Sequence, residues 1–583
     1  MKTKISILLV SLALLVSSCE GLFRERPIDK LPEDMIWETP QLLDNYVLGW
    51  YRSMNYGFSI YMPTTALFKG LGREYLPWYT DQITVSRADW FGTAYGDILK
   101  GSTQAITQKA KTEWNNHYSN LRSINLLIAK QDKIAEGKQK QRILGEAHFF
   151  RAYYHYLLWR RFGGVIIMRE VYDPLIEKKK FPRATYDEMV SAIIRDAQEA
   201  ARLLEEKNES GDEGRVTKGA ALMLQAKTYL WASSPIFQNK KESYLGFTED
   251  RKNPMLEKAA AAYEELLKLP YRLMPVSGNT EREIALSYRN IFLTKNSEES
   301  ILEVQTSDDG NIENGNGHKL DEQAISPYWG GTLAAYTPLQ NHVDEYGMRD
   351  GAVYNPKEPY KNRDYRFYAN VLYDGCTFRE RKMEIHSVYQ GTTAIPGKDL
   401  KPYGADNNAA VSITGYYMGK FVNETQSIDK KPDKGSSQNY IIWRYAEALL
   451  DYAEVKFEQG EIDKALEFVN QIRRRVHMPD LSSLSREQLD NERRVEMAFE
   501  ETVYWDIYRW GQAEKKFNGD AANTPWKIMR VGIVNGEIRY RISDFNSEQA
   551  KMRYFKDYHY YWPIPWDEVR YQGFDQNPEW QET

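Results

Sequence analysis

One segment, Tyr440 to Met478, constrains the fold of this 583-residue chain more than any other. Apolar residues recur there with a period of 3.6 on both sides of Gly460, which is the pattern of two amphipathic helices. Gly460 stands where the end of a helix favours a left-handed residue. Ala453 and Ala465 are small enough to let two helix backbones approach closely. The segment therefore predicts an antiparallel helix pair of the tetratricopeptide type, and such a pair needs further helices to cover its apolar faces.

Helical patterns also occur earlier and later in the chain. One begins near Trp114, and Thr185 with Glu188 three residues later predicts a capping box at the start of another. Between about 301 and 439 the pattern changes, because Gly, Asn, Pro and Tyr become dense and short alternating runs predict strands. A last strong helix is predicted from Asn491 to Gly511.

Together these patterns predict a mostly α-helical protein, with tetratricopeptide-type helix pairs as its scaffold and long loops with a few short strands. We expect a single domain over 19–583. Its N-terminal part, to about 270, is expected to be helical, and the part from about 271 to 583 is expected to be rich in loops.

The N-terminus has the features of a bacterial lipoprotein signal. Lys2 and Lys4 precede an apolar run that is too short to span a membrane as a mature helix, and residues 16–19 (Val-Ser-Ser-Cys) resemble a lipobox. Cleavage there would remove residues 1–18 and leave Cys19 as the lipidated first residue. The alternative is an ordinary secretory signal with a coincidental cysteine.

Charge and cysteine content exclude several function classes. The 77 basic and 82 acidic residues give a net charge of −5, so there is no basic excess to attract nucleic acid. Cys376 is the only cysteine besides Cys19, so with Cys19 acylated an intramolecular disulfide is excluded. The chain contains 41 Tyr and 15 Trp, whose rings combine an apolar face with a polar edge. Most of these rings are expected in the core, but such side chains also suit a binding surface that is partly exposed to solvent.

Carboxylates near the predicted last helix are the main candidates for catalysis. Paired carboxylates can serve a glycosidase as acid and nucleophile. Arginines close to them in sequence are expected instead to neutralise them in a buried ion-pair network. The carboxylates are Glu496, Glu500, Glu501 and Asp506, and the arginines are Arg493, Arg494 and Arg509.

Signals for metals and cofactors are weak. The histidines show no metal-ligand spacing, and the run over 307–313 offers oxygen ligands for Ca²⁺ but misses the EF-hand pattern. The sequence shows no residue near Cys376 that would act as a general base for its thiol. The sequence therefore predicts no catalytic residue, no metal and no cofactor, with a structural calcium ion as the alternative.

Several motifs together resemble those of the RagB/SusD family and occur in the family's order over nearly the whole chain. One departure is Thr502–Tyr504, where the family often has a Gly-His/Lys-Arg run. The matching segments are Gly145–Tyr154 with Arg161–Val165, Phe181–Glu188, Tyr440–Pro479, Glu492–Glu500 with Trp505–Gly511, and Trp562–Pro565 with Gln576–Trp580.

This resemblance implies a helical fold whose loops carry the ligand site. It also implies an outer-membrane lipoprotein at the cell surface. Such proteins bind a nutrient, usually a glycan, and cap a SusC-like TonB-dependent transporter.

Two aromatic loop regions are the candidates for that ligand site. A sugar ring has an apolar face and a rim of hydroxyls, so binding needs a flat aromatic ring together with amide, carboxylate or guanidinium groups. The alternative for each ring is to pack its loop onto the helices or onto the transporter. The predicted ligand-binding residues are Arg73, Trp78, Tyr79, Asp81 and Trp90 in the first region and Tyr328, Trp329 and Tyr336 in the second.

These inferences predict a non-enzymatic receptor at the cell surface. Cys19 would anchor it to the outer membrane, and it would deliver an oligosaccharide to a SusC-like transporter. Two alternatives are a surface glycoside hydrolase and a transporter-associated interaction protein for peptides or other nutrients.

Overall fold

A computed structural model describes residues 33–54, 57–58, 75–86, 97–172, 177–311, 317–402, 410–428, 434–519, 525–546 and 553–582. The predicted signal segment and Cys19 lie outside these residues, as do Arg73 and Trp90. In the part of the chain that is described, no helix is both long enough and apolar enough to cross a membrane.

Helices provide most of the regular structure. They are α1 (Glu33–Glu38), α2 (Pro40–Arg52), α3 (Thr103–Ala129), α4 (Lys138–Phe162), α5 (Tyr186–Leu203), α6 (Lys218–Ala232), α7 (Lys252–Leu266), α8 (Glu281–Leu293), α9 (Leu320–Ala324), α10 (Gln340–Val343), α11 (Tyr365–Asn370), α12 (Tyr445–Glu458), α13 (Ile462–Arg475), α14 (Arg486–Glu496), α15 (Thr502–Arg509), α16 (Ala513–Asn518) and α17 (Trp566–Glu568). The strands are β1 (Ile83–Thr84), β2 (Ser300–Val304), β3 (Thr337–Pro338), β4 (Val371–Leu372), β5 (Thr377–Phe378), β6 (Arg381–Lys382), β7 (Ser387–Gln390), β8 (Thr393–Pro396), β9 (Tyr417–Met418), β10 (Tyr440–Arg444), β11 (Lys527–Val534) and β12 (Glu537–Asp544).

The long helices form one continuous array. Each helix from α3 to α7 packs against the next, α7 packs against α12, and α12 pairs with α13. The predicted capping box is present at α5: the Thr185 hydroxyl accepts from the Glu188 N–H, and the Glu188 carboxylate accepts from the Thr185 N–H. The predicted class, mostly α with paired helices and a few short strands, is confirmed.

The helix pair around Gly460 is confirmed as α12 and α13. Gly460 has a φ of +82°, and Ala453 and Ala465 are fully buried. The prediction was wrong for the first five residues of the segment, which form strand β10, antiparallel to β2. β-branched and aromatic residues such as Ile441 and Trp443 suit a strand, and β2 supplies the backbone partners that favour it.

The predicted last helix is interrupted between α14 and α15. Phe499 has a φ of +64°. The Glu496 carbonyl accepts hydrogen bonds from Arg444 and Lys420 at 2.9 and 3.1 Å, and the Phe499 N–H donates to Gln82 at 3.0 Å. Side chains from distant parts of the chain thus replace the backbone bonds that would have continued the helix.

An ion-pair network is present in the interior, but its partners agree only in part with the prediction: Asp506 pairs with Arg493 and Arg509 as expected, whereas Glu496 and Glu500 pair with Arg444 of strand β10. Arg444 lies 2.8 Å from Glu496 and 2.7 Å from Glu500, and Arg493 lies 2.6 Å from Asp506. All five side chains are buried. Burial alone would raise the pKa of Glu496, but the surrounding arginine charges hold that pKa well below its ordinary value. Glu496 is therefore ionised and has no proton to donate.

The largest sheet has four strands in the order β12-β11-β7-β8. β11 and β7 are parallel, and the other two pairings are antiparallel. The remaining named strands form two-stranded pairs, among them the tight β5–β6 hairpin. The hairpin and the large sheet lie in the region where the sequence is rich in loops.

Candidate ligand site

The first predicted aromatic region faces the interior. Trp78 and Tyr336 are 2% and 0% exposed, and their ring centroids are 5.4 Å apart. Tyr75 packs edge-on against both rings, and Tyr79 is also buried. A sugar cannot stack on rings that present no face to solvent. Trp78, Tyr79 and Tyr336 are therefore core residues, which corrects the expectation of a ligand platform there.

Backbone contacts explain why these rings point inward. β1 pairs with β3, which joins the loop after Tyr79 to the segment after Tyr336. The Arg553 guanidinium donates to the carbonyls of Tyr79 and Trp78 at 2.9 and 3.0 Å. The short 3-10 turn Leu76–Tyr79 is thereby fixed with its side chains in the core.

Asp81, which was also predicted to bind ligand, is an interior ion-pair partner. Its carboxylate lies 2.8 Å from Arg494 and 2.9 Å from Lys516. Burial alone would raise the pKa of Asp81, but these two charges hold it well below its usual range. A carboxylate held by two cations in the interior is a structural group, so this expectation is corrected as well.

The second predicted region carries the exposed rings. Tyr328 is 37% exposed and Trp329 is half-buried. The two rings meet edge to face, with centroids 5.0 Å apart and planes at 83°. Both belong to the 3-10 turn Pro327–Trp329, which ends at Gly330 with a φ of +94°.

Buried contacts beneath this turn hold it in place. A Cβ on Gly331 would lie 2.0 Å from the Ile325 carbonyl oxygen, so the chain can turn back this tightly only with glycine. The Ser326 hydroxyl donates to the fully buried carboxylate of Asp399. Asp399 also accepts the N–H of Glu384 at 2.7 Å. The rings therefore sit on a rigid base.

Two arginines of the β5–β6 hairpin border the rings. The Arg381 Cζ lies 3.9 Å from the Tyr328 ring centroid, and its Nη2 lies 2.9 Å from Asp399. The Arg379 Cζ lies 5.3 Å from the Trp329 centroid. Such stacking favours a cation over an aromatic face. We call Tyr328, Trp329, Arg379 and Arg381 the aromatic ledge.

The ledge contains polar groups that a ligand could engage. Within the described residues, the Trp329 Nε1 and the Arg379 Nε are buried and have no hydrogen-bond partner. An unsatisfied buried donor costs about 1–3 kcal/mol. Arg379 also has a φ of +52°, an uncommon conformation for a residue with a side chain. Uncommon backbone conformations of this kind cluster at functional sites.

The ledge can bind a ring with hydroxyls but has no evident catalytic pair. Asp399, the carboxylate that Arg381 contacts, is fully buried and held by Arg381 and Ser326. Burial raises the pKa of the Cys376 thiol to about 12, so that thiol is not a nucleophile at neutral pH.

Of the run 307–313 considered for calcium, two aspartates make other contacts, and residues 312–313 lie outside the residues that the structure describes. Asp308 pairs with Lys295 at 2.6 Å, and Asp309 accepts the N–H of Asn311 at 3.1 Å. No group of three His, Cys, Asp or Glu that could hold a metal ion occurs in the described part of the chain.

Sequence analysis identified the two ledge rings but missed the residues that border and support them. Arg379, Arg381 and Asp399 are distant in sequence from Tyr328. The available signal was the run Phe378–Arg381, in which two arginines flank the tip of a short hairpin. The sequence alone does not predict that the tip of this hairpin packs against Trp329, because that contact depends on the fold.

Comparisons with known proteins agree with this architecture. The sequence model described as "SusD family" matches residues 298–580, and one described as "Starch-binding associating with outer membrane" matches residues 65–230. A SusD-like protein of Bacteroides ovatus is 23% identical over 552 residues, covering 92% of this chain and 87% of that protein.

Solved structures share the fold. A SusD-like protein from Bacteroides fragilis has a TM-score of 0.71 at 24% identity, covering 95% of this chain and all of that one. The surface glycan-binding protein A from Bacteroides thetaiotaomicron, solved in complex with laminarihexaose, has a TM-score of 0.58 at 18% identity, covering 92% of this chain and 99% of that one.

Proposed function

Because this chain belongs to the SusD/RagB family, we propose that it is a glycan-binding protein of the bacterial outer membrane. It binds an oligosaccharide or polysaccharide at the aromatic ledge without cleaving it and without a cofactor. It then delivers the glycan to a SusC-like TonB-dependent transporter. Cys19 is the proposed site of lipid attachment.

The aromatic ledge carries this proposal. Tyr328 offers an exposed ring, and Arg381 lies over part of it while bound to Asp399. A pyranose can stack its apolar face on such a ring while its hydroxyls accept hydrogen bonds from guanidinium N–H groups. Because the base of the ledge is rigid, little side-chain entropy is lost on binding.

The interior network supports a role without catalysis. Glu496 is fully buried and contacts the guanidinium groups of Arg366, Arg444 and Arg475. A glycosidase needs one protonated and one accessible carboxylate across the scissile bond. Glu496 fits neither role, because its pKa is held low and no substrate reaches it.

Two observations support the proposed location. The lipobox-like residues 16–19 are followed by a chain with no membrane-spanning helix in its described part, so a lipid on Cys19 would provide the membrane attachment. One matching sequence model carries the description "associating with outer membrane". The transporter is proposed on the family membership alone.

Affinity electrophoresis against a panel of polysaccharides tests the proposal. We expect at least one neutral polysaccharide to retard the wild type, and the double variant Tyr328→Ala/Trp329→Ala to lose that retardation. Tyr554→Ala/Tyr571→Ala removes two exposed rings elsewhere and should migrate like the wild type. Retention that survives loss of both ledge rings would refute the ledge as the site.

A reducing-end assay on the retained polymer distinguishes the alternatives. We expect no new reducing ends from the wild type. Sugar release that Glu496→Gln abolishes would establish a hydrolase. If the chain retains no polymer yet co-purifies with a transporter from its own membrane, it is an interaction protein instead.

A further inference from the structure

The four-stranded sheet has one face that is unlike the rest of the surface. Arg530 on β11 stands directly opposite Arg541 on β12, and Arg539 stands opposite Gly532. Side chains two residues apart on a strand share a face, so all three arginines lie on the same side. Each of the three is exposed. We call Arg530, Arg539, Arg541 and Tyr389 the arginine face.

Tyr389 completes this face from the neighbouring strand. β7 pairs in parallel with β11 so that Tyr389 lies beside Val534, on the side of the arginines. Its ring leans across Gly532, where a Cβ would lie 2.9 Å from the ring. Partial burial lowers the pKa of Arg530, and nearby Tyr389 opposes that shift. The face thus presents a flat phenol ring, 42% exposed, next to guanidinium groups.

These arginines lack the carboxylates that accompany arginines elsewhere. Within the described residues, no carboxylate lies in ion-pair range of Arg530 or Arg541, and Arg539 reaches only Glu537, at 3.8 Å. Like charges placed directly opposite on neighbouring strands are destabilising. In the interior, by contrast, Arg444 contacts three carboxylates. The fold therefore tolerates an unfavourable arrangement at the sheet surface.

Protection of the edge strand does not fully explain the pattern. Charged residues on an edge strand discourage pairing with other chains. However, Arg530 lies on the inner strand β11, and the same edge strand exposes Ile538 and Ile542 at 52% and 40% on its other side. The three arginines of these two strands share one face, whereas Lys527 on the other face is paired across the strands with Asp544.

We propose that the arginine face is a second binding site, which takes a glycan that carries carboxylate or sulfate groups. It rests on the proposed function only in that the ligand is a glycan. Guanidinium groups bind such oxyanions through paired N–H donors, and the Tyr389 ring suits the apolar face of a sugar. Because the whole chain carries a net charge of −5, attraction of an acidic polymer must come from a local surface such as this one.

The sheet and the aromatic ledge belong to one region of the molecule. The turn Lys398–Leu400, two residues after β8, packs against the turn Pro327–Trp329. Asp399 in that turn binds Arg381 and Ser326 of the ledge region. A second site here would hold a polymer close to the first.

Three matched probes test the proposal on the purified protein: dextran, dextran sulfate and polygalacturonate. We expect dextran sulfate or polygalacturonate to bind the wild type, and Arg530→Gln/Arg541→Gln to weaken that binding about tenfold or more, as for lost charge-assisted contacts. Arg530→Lys/Arg541→Lys should recover only part of the affinity, because lysine keeps the charge but not the paired donors. The control Arg202→Gln/Arg570→Gln removes the same charge from exposed pairs elsewhere.

The outcomes separate this proposal from the function of the ledge. Equal weakening by both Gln double variants would mean non-specific attraction and overturn the proposal. The proposal would also be overturned if binding of the acidic polymers depended on Trp329 alone. If the wild type binds neither acidic polymer but binds phosphatidylglycerol vesicles through Arg530 and Arg541, the face is a membrane contact. Retention of a neutral glycan through the ledge would leave the proposed function intact in each case.

Discussion

The two aromatic regions differ in where the fold puts them, although their sequences look alike. Both combine Trp and Tyr with Pro, and both lie in loops. Trp78 is 2% exposed and its neighbours fill the core, whereas Tyr328 next to Trp329 is 37% exposed. Local composition therefore does not decide whether the rings of an aromatic loop are buried or exposed.

The difference arises from what each turn is attached to. The turn containing Trp78 is joined to the interior by β1–β3 pairing and by Arg553, which bonds two of its carbonyls. The turn containing Trp329 is tied through Ser326 to Asp399, and its Tyr328 ring remains partly exposed. The rings are buried in the turn that is bonded to the interior by both a strand pairing and an arginine. They are partly exposed in the turn that is held through one buried carboxylate.

The largest expected effect is on the stability of the buried region. Trp78→Ala should lower the free energy of unfolding by about 3–5 kcal/mol, because it removes a large buried side chain and leaves a cavity. Trp329→Ala should cost clearly less, since its ring is half-exposed. Denaturant unfolding of both variants measures the difference. Equal losses would show that the two turns are equally buried in solution.

Next in size is the response of the buried region to acid. The pKa of Asp81 is held below its ordinary value of 3.8, so its contribution to stability is complete above about pH 4 and is lost as the pH falls toward the folded-state pKa. The wild type should therefore lose stability between about pH 4 and pH 2 more steeply than Asp81→Asn. Unfolding curves at several pH values test this. Parallel pH profiles for the two proteins would contradict the ion pair with Arg494 and Lys516.

A smaller effect is expected at the border of the ledge. Arg381→Lys keeps the charge near Asp399 but loses the guanidinium N–H donors proposed to bind sugar hydroxyls, so glycan affinity should fall about three- to tenfold, in line with a hydrogen bond of roughly 1 kcal/mol. Titration calorimetry with a retained oligosaccharide measures it. Arg202→Lys, on an exposed ion pair of helix α5, is the matched control and should leave the affinity unchanged. Unchanged affinity in Arg381→Lys as well would remove Arg381 from the site.

Much of the fold could be predicted from the sequence because its signals are local. The helix pair at Gly460 and the capping box at Thr185 each depend on residues close in sequence. Part of the ion-pair network could be inferred, because carboxylates and arginines share one short segment. Strand β10 could not be predicted in this way. Its five residues fit both the helical period of 3.6 and the strand period of 2, and only the pairing with β2 favours the strand.

The candidate site was less predictable because it depends on contacts between distant segments. The hydrogen bond from Ser326 to Asp399 that holds the ledge joins residues 73 apart in sequence, so no local pattern predicts it. The same holds for Arg381, which reaches Tyr328 only after the β5–β6 hairpin has folded over the turn. Sequence alone identified the rings, and the fold determined which of them face solvent.

One titration tests the central claim most directly. The same purified glycan is titrated into the wild type, Trp329→Ala and Trp78→Phe, with each variant first shown to be folded. Binding that falls about two- to tenfold in Trp329→Ala and stays unchanged in Trp78→Phe is the predicted result, since one stacked ring contributes roughly 0.5–1.5 kcal/mol. Full affinity in Trp329→Ala, or loss of affinity in Trp78→Phe, would contradict the assignment of the ledge as the ligand site.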